Sequence, residues 1–371
     1  MAETENTPRA SEQSGSRRLM RSKPSLTSSQ SDATDSRTSK RSKRSQSPSK
    51  QLPYFGPAGH RLVRDMTSSH DSTALRDLLN DMTDVSRTYE VVPRRIKPNL
   101  ERIQSPGQFG LLREYMFFDD KPSDEQQRTR PQASEGDLIR RITRIVEKSR
   151  ECATLLSDES AWNNHVHSPL MDLLCSDMQD GSNQDLLDFQ SCTTSNMDLT
   201  YHRFAEPASR VDYVFKLLPD KVAIPESPSE MPLVTTVPCF NWLTDRLMQQ
   251  YPLAVSVETK RYGGDIAKAE AQLGIWHAAH WEFLLSRAGD DAVGKLGFLP
   301  GVVVHGHTWS IVITTRRGAT TAVVCSLEFG KTDSIVDAFQ VLAGLRRLRK
   351  WSLKTLWPWY KQHLPDLKLP P

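Results

Sequence analysis

One stretch constrains the fold of this chain more than any other: Ala254-Val255-Ser256-Val257-Glu258-Thr259-Lys260. Its β-branched residues make it a strand, and side chains along a strand alternate between faces. Val255 and Val257 therefore share one face and Glu258 and Lys260 the other, the latter two roughly 7 Å apart. A strand apolar enough for the centre of a sheet thus ends with a carboxylate beside an ammonium. Such groups are rarely taken into a core unless paired or bound to a cation. The plainer alternative is a same-face ion pair at an exposed strand end.

Two further acids share this inward character. In Arg210-Val-Asp212-Tyr-Val-Phe215, Asp212 alternates with Val211, Tyr213 and Phe215 inside a core-like strand. Glu159 lies on the helical face of Trp162, Val166 and Leu173, at spacings of 3, 7 and 14. Asp212 could instead cap a turn, and Glu159 could simply favour the positive end of a helix. Taken together, three carboxylates and a lysine suit metal-assisted phosphodiester hydrolysis. Oxygen ligands hold Mg²⁺ or Mn²⁺ loosely, the ion polarises a phosphate and acidifies its water, and a lysine orients that water or offsets developing charge.

Around these residues, helical and strand-like patterns interleave. An amphipathic stripe begins at Asp137 (Leu138, Ile139, Ile142, Ile145, Val146, Ala153, Leu156), and Ser157-Asp158 offers the cap of a second helix in which Pro169 is a candidate kink. Strand-like runs follow at Leu186–Cys192, Val211–Leu218, Leu253–Lys260, Gly301–Val304, Thr308–Thr315 and Thr321–Leu327. Helical patterns span Ile266–Leu285 and Ser334–Leu356, and 221–238 reads as an inserted polar, proline-rich loop. The class is α/β or α+β, a central mixed sheet flanked by helices. Domain boundaries are expected at 136–360 for the folded domain, 51–135 for a loosely packed arm with one or two short helices, and 361–371 for a tail.

The net charge of +3 hides a division. Residues 1–50 hold 11 Lys/Arg against 5 Asp/Glu, with 14 serines and no Val, Ile, Phe, Trp or Tyr, leaving 37 against 40 in the rest. Such a segment cannot bury enough apolar area to offset its ordering entropy, so disorder is expected there. Within it, Lys40-Arg41-Ser42-Lys43-Arg44 is the kind of exposed basic run that nuclear import receptors or polyanions attract; a merely solubilising tail is the alternative. No stretch reaches the roughly 18 consecutive apolar residues of a membrane span and no apolar signal core opens the chain, so an intracellular protein is expected. Five dispersed cysteines without a CxxC pair argue against a disulfide framework and a zinc knuckle.

The ordered series Glu159, Asp212, Glu258-x-Lys260 and Gln272-Leu-Gly-Ile-Trp276, with Trp162-Asn-Asn-His-Val-His167, Phe298-Leu-Pro-Gly301 and Gly306-His-Thr-Trp309, resembles the PD-(D/E)XK nuclease-like domain of the restriction-endonuclease-like superfamily, in the form found mostly in fungal proteins. The resemblance covers about residues 137–360. It implies that Asp212 and Glu258 are metal ligands, Lys260 the catalytic lysine, Glu159 a helix carboxylate supporting the metal or its waters, and Gln272 a helix residue near the scissile phosphate. Val211 departs from the proline of the superfamily motif, and the long 221–238 excursion separates the second and third motif positions.

Nucleic acid, DNA or RNA, is the implied ligand, with Arg346, Arg347 and Lys350 as candidate phosphate contacts near a helix end where cations are favoured in any case. Two functional classes stand open. One is a Mg²⁺- or Mn²⁺-dependent nuclease; the other is a catalytically inactive nuclease-fold module that binds nucleic acid or scaffolds proteins. The histidine pairs 165/167, 277/280 and 305/307 lack the partners a zinc site needs.

Overall fold

The computed structural model describes residues 52–67, 72–103, 112–119, 135–176, 186–218 and 239–364. The basic tail with its Lys40–Arg44 run, the 221–238 excursion and the chain after 364 lie outside the described residues.

The strands are β1 (Tyr54–Phe55), β2 (Arg61–Arg64), β3 (Val92–Pro93), β4 (Phe117–Phe118), β5 (Leu187–Ser191), β6 (Tyr213–Leu217), β7 (Leu253–Lys260), β8 (Phe298–His305), β9 (Thr308–Arg317) and β10 (Thr320–Lys331). Eight of them form one mixed sheet in the order β1-β2-β10-β9-β8-β7-β6-β5, while β3 and β4 make a small parallel pair. β7 occupies an interior position, parallel to β8 and antiparallel to β6. Its residues 253–259 are all buried, so both faces of the strand are covered, including the face that carries Ser256 and Glu258.

Helices flank this sheet: α1 (Thr73–Ser86), α2 (Lys97–Ile103), α3 (Glu135–Thr154), α4 (Glu159–Trp162), α5 (Ser168–Ser176), α6 (Arg246–Gln249), α7 (Ile266–Ala288), α8 (Asp290–Leu296), α9 (Ile335–Trp351) and α10 (Trp357–His363). Their starts follow from side-chain caps. Asp158 accepts from Ala161 N at 2.8 Å, Asp265 from Lys268 N at 3.0 Å and Ser334 from Asp337 N at 3.2 Å, each satisfying an otherwise orphaned amide. α7 is buried on nearly all sides from Ala269 to Leu284, as an apolar central helix should be. Close packing needs small residues: a Cβ added at Gly344 of α9 would stand 2.3 Å from Phe329 Cδ2 of β10.

The second helix is not split at Pro169. α4 passes through a π turn, Asn163–His167, directly into α5. Proline has no N–H to give the carbonyl four residues back, and the wider turn just before it, closed by Ser168 N–H to Asn163 O, carries the chain across that gap. The stretch 51–135, which in sequence reads as a loose arm, supplies more than short helices. β1 and β2 join the main sheet with Tyr54 and Leu62 buried, and α1 packs on α9 and β10. Strands of two and four residues are too short for alternation to show. No described helix is long and apolar enough to cross a membrane, and all five cysteines are free.

Candidate active site

Lys260 closes β7, and its register partner in the parallel ladder is His305. Its Nζ donates to Glu258 Oε1 and, at 2.8 Å, to Thr259 O, and it stands 3.8 Å from Glu159 Oε2 at the start of α4. Asp212 immediately precedes β6 and extends its pairing: its N–H donates to Val257 O at 3.1 Å, and its carbonyl accepts from Cys192 N at 2.8 Å. Asp212 Oδ2 accepts from both the amide and the hydroxyl of Thr259, each at 2.8 Å. Glu159, Asp212, Glu258 and Lys260, more than 50 residues apart between the first two, are thus gathered around the end of β7.

The electrostatics follow from burial. Glu258 is 2% exposed; burial, reinforced by the Asp212 carboxylate, pushes its carboxyl up to about 8 despite the opposing Lys260 ammonium. Burial alone would lower Lys260, but Glu258, Glu159 and Asp212 outweigh it and raise its pKa, so the ammonium stays charged. Glu159 is raised as well, chiefly by burial, with Lys260 opposing and Asp212 adding.

A neighbouring network fixes α4 against the strand ends. His167, fully buried in the π turn, lies 2.8 Å from Gly306 O through Nε2 and 2.8 Å from Asn163 Oδ1 through Nδ1. Both partners are oxygens that only accept, and burial drives the ring's pKa down to about 4, so the neutral ring has one N–H to give them. Gly306, at φ +56°, in turn donates to Lys260 O at 2.7 Å. His167 packs on Trp162 (5.8 Å) and edge-on against Trp309 (5.6 Å). The helix bearing Glu159 is therefore tied through His167 and Gly306 to the backbone of Lys260.

His167, Thr259 and Gly306 escaped sequence reasoning as positioning residues. The available signal was Pro169, which requires an irregular turn around His167. The other histidine pairs have structural partners: His277 Nδ1 meets Thr314 Oγ1 at 2.9 Å, and His280 stacks on Trp242 at 4.1 Å. Gln272 stands on α7 with Oε1 buried and unpaired among the described residues. Arg347 and Lys350 lie on α9 at 4.0 and 3.6 Å from Asp81 of α1, and Arg346 Nη1 is buried.

The donors at the end of β7 are hard carboxylate oxygens, the set that Mg²⁺ or Mn²⁺ accepts; Mg²⁺ commonly takes one or two carboxylates and completes its shell with water. Among the described residues no three or more His, Cys, Asp or Glu side chains are already grouped to hold a metal. Two carboxylates and water remain a sufficient set by this chemistry.

A mixed α/β sheet flanked by helices, with acids from a helix, a strand and the residue before a second strand gathered around a strand-end lysine, has the form of a nuclease-fold domain. The family model of the PD-(D/E)XK nuclease superfamily matches residues 102–357, and the chain belongs to that superfamily. No curated protein and no solved structure matches it.

Proposed function

We propose that this protein hydrolyses phosphodiester bonds of nucleic acid with Mg²⁺ or Mn²⁺ as cofactor. The observation that carries the reading is the convergence of Glu258 and Glu159 on Lys260 Nζ beside Asp212. Asp212 and Glu258 would hold the cation, and Glu159 would bind its waters. When bound, the cation supplies Lewis-acid polarisation of the phosphate and acidifies a water. Thr259 fixes one Asp212 oxygen, leaving the other to face the ligand. Lys260, released from Glu258, donates to the attacking water or to a phosphate oxygen, where its charge offsets the charge that develops. Gln272 would lie beside the scissile phosphate. Arg346, Arg347 and Lys350 would add phosphate contacts, the last two exchanging Asp81 for the ligand, and the basic tail would supply longer-range attraction.

The test is cleavage of DNA and RNA by purified protein in Mg²⁺ or Mn²⁺, beside Asp212→Ala and Lys260→Ala. Wild type should cleave, and each substitution should remove most of the activity. Equal inactivity of all three on every substrate would refute the enzyme reading.

One observation favours the second reading, a non-catalytic nucleic-acid-binding or scaffolding module: Lys260 itself occupies Glu258 Oε1. Nucleic-acid binding that persists unchanged in EDTA, with no thermal shift from either metal, would support that module instead.

A further inference from the structure

The turn after β7 carries an exposed aromatic two residues beyond Lys260. Tyr262 is 41% exposed, yet its ring is not loose. It stacks on His307 (centroids 5.3 Å, planes 29° apart) and on His305 (6.1 Å, 30°). His305 is the register partner of Lys260, and paired residues of a parallel ladder project to the same face, so the lower ring of this stack belongs to the face of Glu258 and Lys260. His307 is itself anchored, 3.6 Å from Asp333 Oδ1 and 6.4 Å from the ring of Trp162. Residue 306 must be glycine for this approach: a Cβ there would stand 3.0 Å from both Cα and Cβ of Tyr262, and its φ is +56°.

A tyrosine packed against two rings yet 41% exposed costs little entropy to use as a contact. It has the form of a stacking surface rather than of a core residue. Its position limits the occupant. Two residues span at most about 7 Å between Cα atoms, so the ring stands on the turn next to Lys260. In a duplex both faces of a base are covered by neighbours, so a base can meet a protein ring only if it is unpaired or turned out of the stack.

We infer that Tyr262, backed by His305 and His307, is a stacking platform for an unpaired nucleobase adjoining the phosphate held at Lys260, and that the substrate class is single-stranded or locally unpaired nucleic acid. This rests on the phosphodiesterase reading for the identity of the ligand at Lys260.

The experiment measures binding by the full chain in EDTA, using a fluorescent single-stranded oligonucleotide, the same sequence as a blunt duplex, and an abasic strand of equal length. Wild type should prefer the single strand over both. Tyr262→Ala should weaken single-strand binding about 5- to 150-fold, the range for one lost base stack, while leaving the abasic strand unchanged. Tyr262→Phe should stay within about twofold of wild type. Tyr262→Leu still covers the imidazoles but cannot stack, and should behave like Tyr262→Ala. Retained affinity in the Leu variant, equal losses on the oligonucleotide and the abasic strand, or no binding by wild type would each overturn the platform. Cleavage that depends on Asp212 but ignores Tyr262 would sink the platform and leave the nuclease reading intact. Base-dependent binding through Tyr262 without cleavage would do the reverse.

Discussion

Glu258→Gln isolates the energetic consequence of burying an acid at the end of β7. In the folded protein Glu258 is pushed from its ordinary 4.5 to about 8, first by burial and then by Asp212. The folded state therefore holds a proton that the unfolded chain releases above 4.5. Stability from this group is complete below pH 4.5 and is lost as pH rises towards 8, because across that window the native state binds more protons. At about 1.4 kcal/mol per unit, moving from pH 5 to pH 7 costs on the order of 2–3 kcal/mol, or roughly 5–10 °C in melting temperature for a domain of this size. A glutamine cannot titrate, so Glu258→Gln should lack this component. The assay is urea or thermal unfolding of both proteins in EDTA from pH 5 to pH 8, read as the difference between the two profiles so that other titrating groups cancel. Adding Mg²⁺ should restore wild-type stability at the alkaline end and leave the variant unchanged. Parallel profiles, or a wild type that gains on the variant as pH rises without metal, would refute the assignment of a protonated buried acid.

Other outcomes follow from the same contacts. His167→Phe removes the ring's partner from buried Gly306 O and half-buried Asn163 Oδ1 and should destabilise the fold by about 1–3 kcal/mol, measured by urea titration. Gly306→Ala forces a side chain into a left-handed conformation against Tyr262 and should cost about 1–3 kcal/mol in the same measurement. Mg²⁺ at 100 times its Kd should stabilise wild type by about 2.7 kcal/mol and Asp212→Ala hardly at all, read by thermal shift. If Lys350 gives up Asp81 for a phosphate, Lys350→Ala should reduce by about 1 the slope of log binding constant against log salt.

The strand carrying Glu258 and Lys260 was legible because seven contiguous residues alternate two chemistries, and the observed β7 spans the residues read from sequence, Leu253–Lys260. Asp212 was legible for a related reason, an acid inside an apolar alternation, although it stands just before β6 rather than within it. Glu159 was reached by helical spacing, although its side chain is 41% exposed rather than turned fully inward. The edge formed by β1 and β2 was not legible, since the pairing of β2 with β10 is set by residues 259 positions away and strands of two and four residues are too short for alternation to show. His167 was hidden in another way. Helical periodicity assumes 3.6 residues per turn, and the π turn breaks that phase at the very residue that joins α4 to the β8–β9 turn.

That broken phase explains how the site can keep a buried acid and a charged lysine together. An acid pushed up to about 8 by burial would turn its carboxylate out to water if the elements around it could move. They cannot move freely. β7 is held between β6 and β8, Asp212 is clamped by two bonds from Thr259, and α4 is tied through His167 and Gly306 to the carbonyl of Lys260. The His167 link sits eight residues beyond Glu159 on the same continuous helix, so it fixes the rotation of that helix about its axis as well as its distance from the strand. Of these constraints only the His167 link acts on Glu159. Loss of His167 should therefore loosen the 3.8 Å approach of Glu159 to Lys260 while leaving the Glu258–Lys260 pair, fixed by a single strand, in place.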